Sequence, residues 1–441
     1  MNKFFKGTLL LAAAAFAAEC IEFIVNMVLA RELGERGLGM YMSILPTIFL
    51  IVLIASFELP ISISKFIAER DKKYHKSMLN HVIKLTIVFT AIILPLAIFI
   101  MPIVPIFDQY HPLLRWVVIA FIPIVSFSSI ARGFFMGKQQ MGKIATSNFL
   151  RKMVQLLLLV TLYQFFQFDT VTAVFIAFCT FVGSEIVVFL YLLHMFIIQY
   201  QQVKKEPSEG MSGRMVRKSL MAVSIPTTAM RVFHALSHAV EPFLIKAALL
   251  KAGVSGIVAT EHFGMLAGVA LTIGFFPAFI AHSFLIMLIP TVSETYAERN
   301  IEKLQSLLQQ VFMITFLYGI PAVVFFYFYA EPLTNIFFHS SDSAVYLQML
   351  WPFFLLHYFI IPMQAFLIGL GLMKEALFHF VWSTVVSFSV MYVLGSMQSF
   401  QMDGIIIGMN TGAAVLTLMH YLTICKKIGV NLLLAPVRRF N

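Results

Sequence analysis

Twelve stretches of about 20 predominantly apolar residues, each closed by charged or turn-forming residues, dictate what this chain can become. They lie near 8–30, 38–62, 79–101, 113–136, 147–167, 171–198, 219–248, 261–289, 305–329, 345–369, 375–397 and 404–425. In a bilayer every backbone N–H and C=O must be satisfied within the span, which leaves helices as the structure for runs of this length. The pattern predicts an all-α integral membrane protein with twelve transmembrane helices. With 60% hydrophobic and 12% charged residues and a mean hydropathy of +0.89, a soluble fold is excluded. Lys3 and Lys6 followed by TLLLAAAAFAAEC have the look of a cleaved leader, but the apolar run continues to Ala30 and Glu19 stands directly before Cys20. The segment is therefore read as a first transmembrane helix.

The formal charge of +10 is distributed by side. With the N-terminus in the cytoplasm and the spans alternating, only Arg31, Arg36, Arg115, Lys246 and Lys251 of the 31 Lys and Arg residues fall outside, and Arg231 lies within a helix. This is the positive-inside rule, so the basicity encodes topology in a cell membrane with both termini cytoplasmic. It does not point to nucleic acid. The connecting loops are too short to hold a catalytic domain, and the pattern argues against an enzyme. Cys20, Cys179 and Cys425 have neither disulfide nor metal-ligand spacing, so no metal site or cofactor is expected.

The longest polar segment, 201–218, divides the spans equally into an N-terminal six-helix lobe, 1–200, and a C-terminal one, 219–441. The halves also echo each other. ISKFIAERDKKYHKSMLNHV at 63–82 aligns without gaps on VSETYAERNIEKLQSLLQQV at 292–311, with Ser64, Ala68, Glu69, Arg70, Ser77, Leu79 and Val82 recurring as Ser293, Ala297, Glu298, Arg299, Ser306, Leu308 and Val311. FFMGKQQM at 134 pairs with FLIGLGLM at 366. Six is even, so both halves enter from the same side, and the repeat is parallel with its axis along the membrane normal.

Charged groups inside spans cost about 2.5–3.5 kcal/mol on insertion scales and normally face a cavity or a partner. In MRVFHALSHAVEPF at 230–243, Arg231, His234, His238 and Glu241 share an arc of about 80° on one helix face. Aligning Lys6 with Lys218 sets Glu19, Glu22 and Asn26 of the first helix opposite Arg231, His234 and His238. One lobe thus offers carboxylates where the other offers cations. Lining a shared central cavity, the acidic face suits a coupling proton or Na⁺ and the basic face an anionic substrate group; the other reading is that they are buried ion pairs locking helices together. Glu58, before Leu59-Pro60, is a weaker cavity candidate. Glu185, His194, His357 and Asn410 read as interhelical hydrogen-bond formers.

VLARELGERGLGMYMSILP, RGFFMGKQQM and, above all, FGMLAGVALTIGFFPAFIAHSFLIMLIPTVSETYAE resemble the stage V sporulation protein B type of polysaccharide exporter. That group stands with the MurJ lipid II flippases and MATE exporters in one superfamily. The resemblance implies a twelve-helix core of two lobes and alternating access for a lipid-linked oligosaccharide or peptidoglycan-type precursor, in envelope or spore-wall synthesis and alongside envelope-synthesis proteins. Two other functions stay open here. Glu19 and Glu22 suit a MATE-like cation-coupled multidrug antiporter, and a non-transporting membrane assembly factor would tolerate loss of the intramembrane charges.

Overall fold

The computed structural model describes residues 3–57, 59–205, 209–337 and 342–430, so Glu58 lies outside the described residues. Those residues form helices with no strand among them: α1 Lys3–Ser56, α2 Leu59–Glu69, α3 Lys72–Ile100, α4 Leu114–Gly137, α5 Met141–Phe165, α6 Thr170–Lys205, α7 Gly213–Lys251, α8 Gly256–Gly264, α9 Leu271–Phe275, α10 Ala278–Ala297, α11 Ile301–Phe328, α12 Ala330–Thr334, α13 Asp342–Met349, α14 Trp351–Gly369, α15 Met373–Gly395 and α16 Met402–Ile428. Ten of the described helical stretches are long and apolar enough to cross a membrane. α1 carries the first two spans, joined through Gly34, whose φ of 65° and ψ of 178° belong to a region reserved for glycine. α5 and α7 cover the fifth and seventh expected stretches, although neither is among those ten, their sequences being too polar. The eighth is longer than expected and broken: α8 and α9 flank a π-helical turn at Met265–Ala270, and Pro277 begins α10.

Contacts gather Met1–Gly39 and Glu241–Asn441 into one compact unit and Met40–Val240 into another. This division falls inside α1 and α7, whereas the sequence lobes divide at 201–218. The inter-helix connection there is also shorter than that, since α6 runs to Lys205 and α7 begins at Gly213. Its described part is pinned along α3: Glu209 N donates to Lys73 O at 3.1 Å, Met211 N donates to Ser77 Oγ at 2.9 Å, and Lys73 Nζ meets the Glu209 carboxylate at 2.9 Å. Lys73 holds the Glu209 carboxyl below its ordinary range and is itself raised by it.

The sequence repeat reappears as a repeat of packing. In unit 40–240, Ile63, Leu79, Val82, Phe134 and Phe135 are core residues; in the other unit Val292, Leu308, Val311, Phe366 and Leu367 are. Helix association in lipid depends on close approach through small residues, because lipid tails are as apolar as the side chains. A Cβ on Gly137 would stand 2.7 Å from Ile67 Cβ, and one on Gly369 would stand 2.8 Å from Val292 Cβ. The turns that follow carry the same hydrogen bonds. Lys138 N donates to Phe134 O, Gln139 N to Met136 O and Gln140 N to Phe135 O; Leu370 N, Gly371 N and Leu372 N donate to Phe366 O, Ile368 O and Leu367 O. Each is a Schellman-type ending with one left-handed residue, Gln139 at φ 55° and Gly371 at φ 76°. Only the second copy uses glycine. Gln139→Gly should therefore raise stability by about 1 kcal/mol, the approximate cost of the left-handed conformation for a residue with a Cβ, read as a higher melting temperature of the detergent-purified protein.

Candidate functional site

Glu19, Glu22 and Asn26 recur at spacings of three and four along α1, which brings them to one face of the helix. With Phe23 they form one wall of a cavity of about 270 Å³; Ala267, Leu271, Thr272, Phe275 and Phe276 form the other. The facing wall follows from local packing. Gly264 and Gly268 press against α1, where added Cβ atoms would lie 2.6 Å from Glu35 O and 2.4 Å from Leu38 Cδ2. On α9, a Cβ at Gly274 would lie 2.1 Å from the Phe354 ring. The π-helical turn inserts a residue between these clamped glycines, and such turns recur at functional sites. Edge-to-face rings close the apolar part: Phe23 stands 5.6 Å from Phe276 and 5.1 Å from Phe337, and Phe16 stands 6.0 Å from Phe276.

The cavity is thus an apolar aromatic chamber with two carboxylates, an amide and the Thr272 hydroxyl. His282 on α10 lies close enough to Glu19 to interact with it electrostatically. Sequence reasoning passed over His282 and Thr272, although both stand in or beside the densest motif. A single histidine or threonine in an apolar span carries no signal until the fold sets a carboxylate near it.

Arg231, His234 and His238 lie on α7 within unit 40–240, and Glu241 is the first α7 residue of the other unit. Arg231 and His238 are exposed on the protein surface, while His234 and Glu241 are half-buried. Both Arg231 and His238 lie within electrostatic reach of His234, so the three side chains are neighbours along the helix. Among the isolated polar groups, Asn410 Nδ2 donates to Met349 O across helices at 3.2 Å, as expected. Glu185 likewise accepts interhelical hydrogen bonds from Arg132 and Arg151 at 3.4 Å each, while His357 Nδ1 meets Phe353 O of its own helix at 3.1 Å. The three cysteines are free thiols.

The sequence profile of polysaccharide biosynthesis proteins matches residues 4–296, two thirds of the chain. The chain belongs to that family. The chain is similar to "Sporulation protein YkvU" of Bacillus subtilis (strain 168), 54% identical with 98% of each chain covered, and to "Stage V sporulation protein B" of the same organism, 32% identical over 97% of this chain and 85% of the relative. The same organism's "Lipid II flippase MurJ" is 22% identical over 98% of this chain and 84% of its own length. The MatE profile matches residues 264–393. In fold the chain is similar to an inward-facing multidrug-resistance MATE transporter, with a TM-score of 0.77 at 17% identity, covering 95% of this chain and 98% of that one. This polysaccharide biosynthesis family member is therefore a multi-pass membrane protein related to the stage V sporulation protein, with the fold seen in MATE transporters.

Proposed function

We propose that the protein is a flippase that moves a lipid-linked, phosphate-bearing saccharide across the cell membrane by alternating access, in envelope or spore-wall synthesis. The observation that carries this reading is an acidic face on helix one, which lines a cavity, matched by a basic face on helix seven when Lys6 is aligned with Lys218. Arg231 offers the planar donor fork that suits a phosphate, and His234 and His238 continue its face with imidazole nitrogens that can hydrogen-bond a substrate. Glu19, Glu22 and Asn26 hold the coupling proton or Na⁺, and binding energy at one face is returned as release at the other when the six-helix lobes rock between openings. Relatives named for sporulation and for lipid II flipping support this assignment. Both termini and the 201–218 connection are cytoplasmic in this topology, as the positive-inside distribution supports.

Depletion of the protein should accumulate a lipid-linked precursor on the inner leaflet, and the glycan it carries defines the cargo. A second reading, cation-coupled multidrug antiport, is favoured by the two carboxylates in the aromatic cavity. It requires drug hypersensitivity on depletion with no such precursor. An assembly factor without transport requires that neutralising the intramembrane charges leave the phenotype intact. For the flippase, Glu19→Gln with Glu22→Gln should cut export at least tenfold and remove its dependence on the ion gradient, with expression unchanged; flipping measured in vesicles with and without a pH or Na⁺ gradient checks both.

A further inference from the structure

Unit 40–240 holds a second charged constellation that the proposed transport cycle does not use. Arg132 on α4 and Arg151 on α5 converge on Glu185 of α6. Arg132 donates to Glu185 Oε2 at 3.4 Å and Arg151 to Glu185 Oε1 at 3.4 Å, while Arg132 also donates to Asn148 Oδ1 at 3.3 Å. The trio carries a net positive charge. Charge-assisted bonds of this type normally close to about 2.7–2.9 Å, so the fork is held open. Each guanidinium has five N–H donors, and these three bonds leave most of them unused. Arg151 Nε is buried without any hydrogen-bond partner. Yet the side chains remain 25%, 28% and 14% exposed for Arg132, Arg151 and Glu185, so a ligand can reach them.

Glu185 is the one acidic residue within α4, α5 and α6. From Leu114 to Lys205 the chain has two acidic residues, Glu185 and Asp169, and Asp169 is engaged at the opposite end of α6 with the N–H groups of Val171 and Thr172. Lys138 and Lys143 flank the α4–α5 turn, each lying over a phenylalanine ring, at 4.7 Å from Phe134 and 4.6 Å from Phe135. The repeat supplies an internal control. In the register that sets Gly137 on Gly369, the counterparts of Arg132, Arg151 and Glu185 are Gln364, Ser383 and Thr417. The same three-helix packing is therefore built without charge in the other half. An arrangement the fold does not need, and which withdraws two guanidinium groups part-way from water, calls for a ligand.

We propose that Arg132 and Arg151 form a binding site for a phosphate group carried on a membrane lipid, entering at the α4–α5 turn, with Glu185 holding the fork in place until the phosphate displaces it. A basic pocket between transmembrane helices is the usual setting for anionic headgroups. Two lipids bring this chemistry: a resident anionic phospholipid, or the polyprenyl diphosphate end of a substrate before it is passed on. The site does not depend on the export reading, and its test does not use export.

The test is ligand binding to the purified full-length protein in detergent, read by native mass spectrometry and thermal stabilisation. The probes are phosphatidylglycerol, phosphatidylethanolamine and farnesyl diphosphate. The wild type should bind phosphatidylglycerol, farnesyl diphosphate or both at least tenfold more tightly than phosphatidylethanolamine, the preferred probe identifying the source. Glu185→Gln, which removes the competing carboxylate, should bind the preferred probe several-fold more tightly. The triple variant R132Q/R151Q/E185Q, which restores the uncharged chemistry of the other half and avoids an orphaned charge, should lose the preference while keeping the wild-type melting temperature without lipid. Equal binding of all three probes by the wild type, or an unchanged preference in the triple variant, would overturn the site. So would weaker binding by Glu185→Gln, which would mark the trio as a structural clamp.

Discussion

Arg231→Ala is expected to abolish export while leaving the amount of folded protein in the membrane unchanged, and Arg231→Lys to retain a measurable fraction. The side chain is exposed on the protein surface, so truncation opens no cavity in the core and removes no packing that a melting temperature would detect. What is lost is a planar array of donors at the point where the cationic stripe begins. A charge-assisted contact of this kind contributes about 1.5–3 kcal/mol. Lost from an interaction that must strengthen as the substrate crosses the membrane, it lowers the rate by about one to two orders of magnitude, enough to fail in complementation. Lysine keeps the charge but supplies three donors without the fork, which predicts partial activity. The measurement is complementation in a depletion strain together with precursor flipping in vesicles. Full complementation by the alanine variant at normal expression would show that the Arg231 side chain is dispensable for transport and remove the central support for the flippase reading.

How much of this was legible beforehand depended on the kind of signal. Spans were readable because the bilayer imposes a length on every apolar run, so α3, α4, α6, α11, α14, α15 and α16 each cover or nearly cover an expected stretch. The alignment of 63–82 on 292–311 was readable through residue identities alone; Leu79 with Val82 and Leu308 with Val311 are core contacts of each half, while Ala68, Arg70, Ala297 and Arg299 are exposed. Helical spacing also brought Glu19, Glu22 and Asn26 to one wall of a cavity. What hydropathy could not convey was where chains pack. Gly39, Gly264 and Gly268 are neutral on any apolar scale, yet their lack of a Cβ lets the Glu35–Gly39 stretch join the C-terminal unit, while the sequence divides at its longest polar loop. The same blindness applied to Arg132 and Arg151, which counted as inner-side basic residues until three helices brought them to Glu185.

Gly39→Ala should be strongly destabilising. An ideal Cβ at Gly39 would stand 1.9 Å from Thr260 O and 2.7 Å from Thr260 C, well inside van der Waals contact and against backbone that has no rotamer to relieve it. Relief requires α8 to move away from α1. That movement in turn loosens Gly264 against Glu35 O and Gly268 against Leu38, the contacts that hold the π-helical turn and the cavity wall after it. Overpacking of a core costs about 1–3 kcal/mol when neighbours adjust, and here the neighbour is main chain, so the upper end applies. Gly142→Ala is the matched control: its Cβ meets nothing within 4 Å and it sits in the first turn of α5, where alanine is the better helix former. The expected result is a large drop in the melting temperature of detergent-purified protein for Gly39→Ala and none for Gly142→Ala. Equal melting temperatures would show that α1 and α8 are not clamped at this crossing, and that the wall carrying Ala267, Leu271 and Thr272 is free to move relative to Glu19 and Glu22.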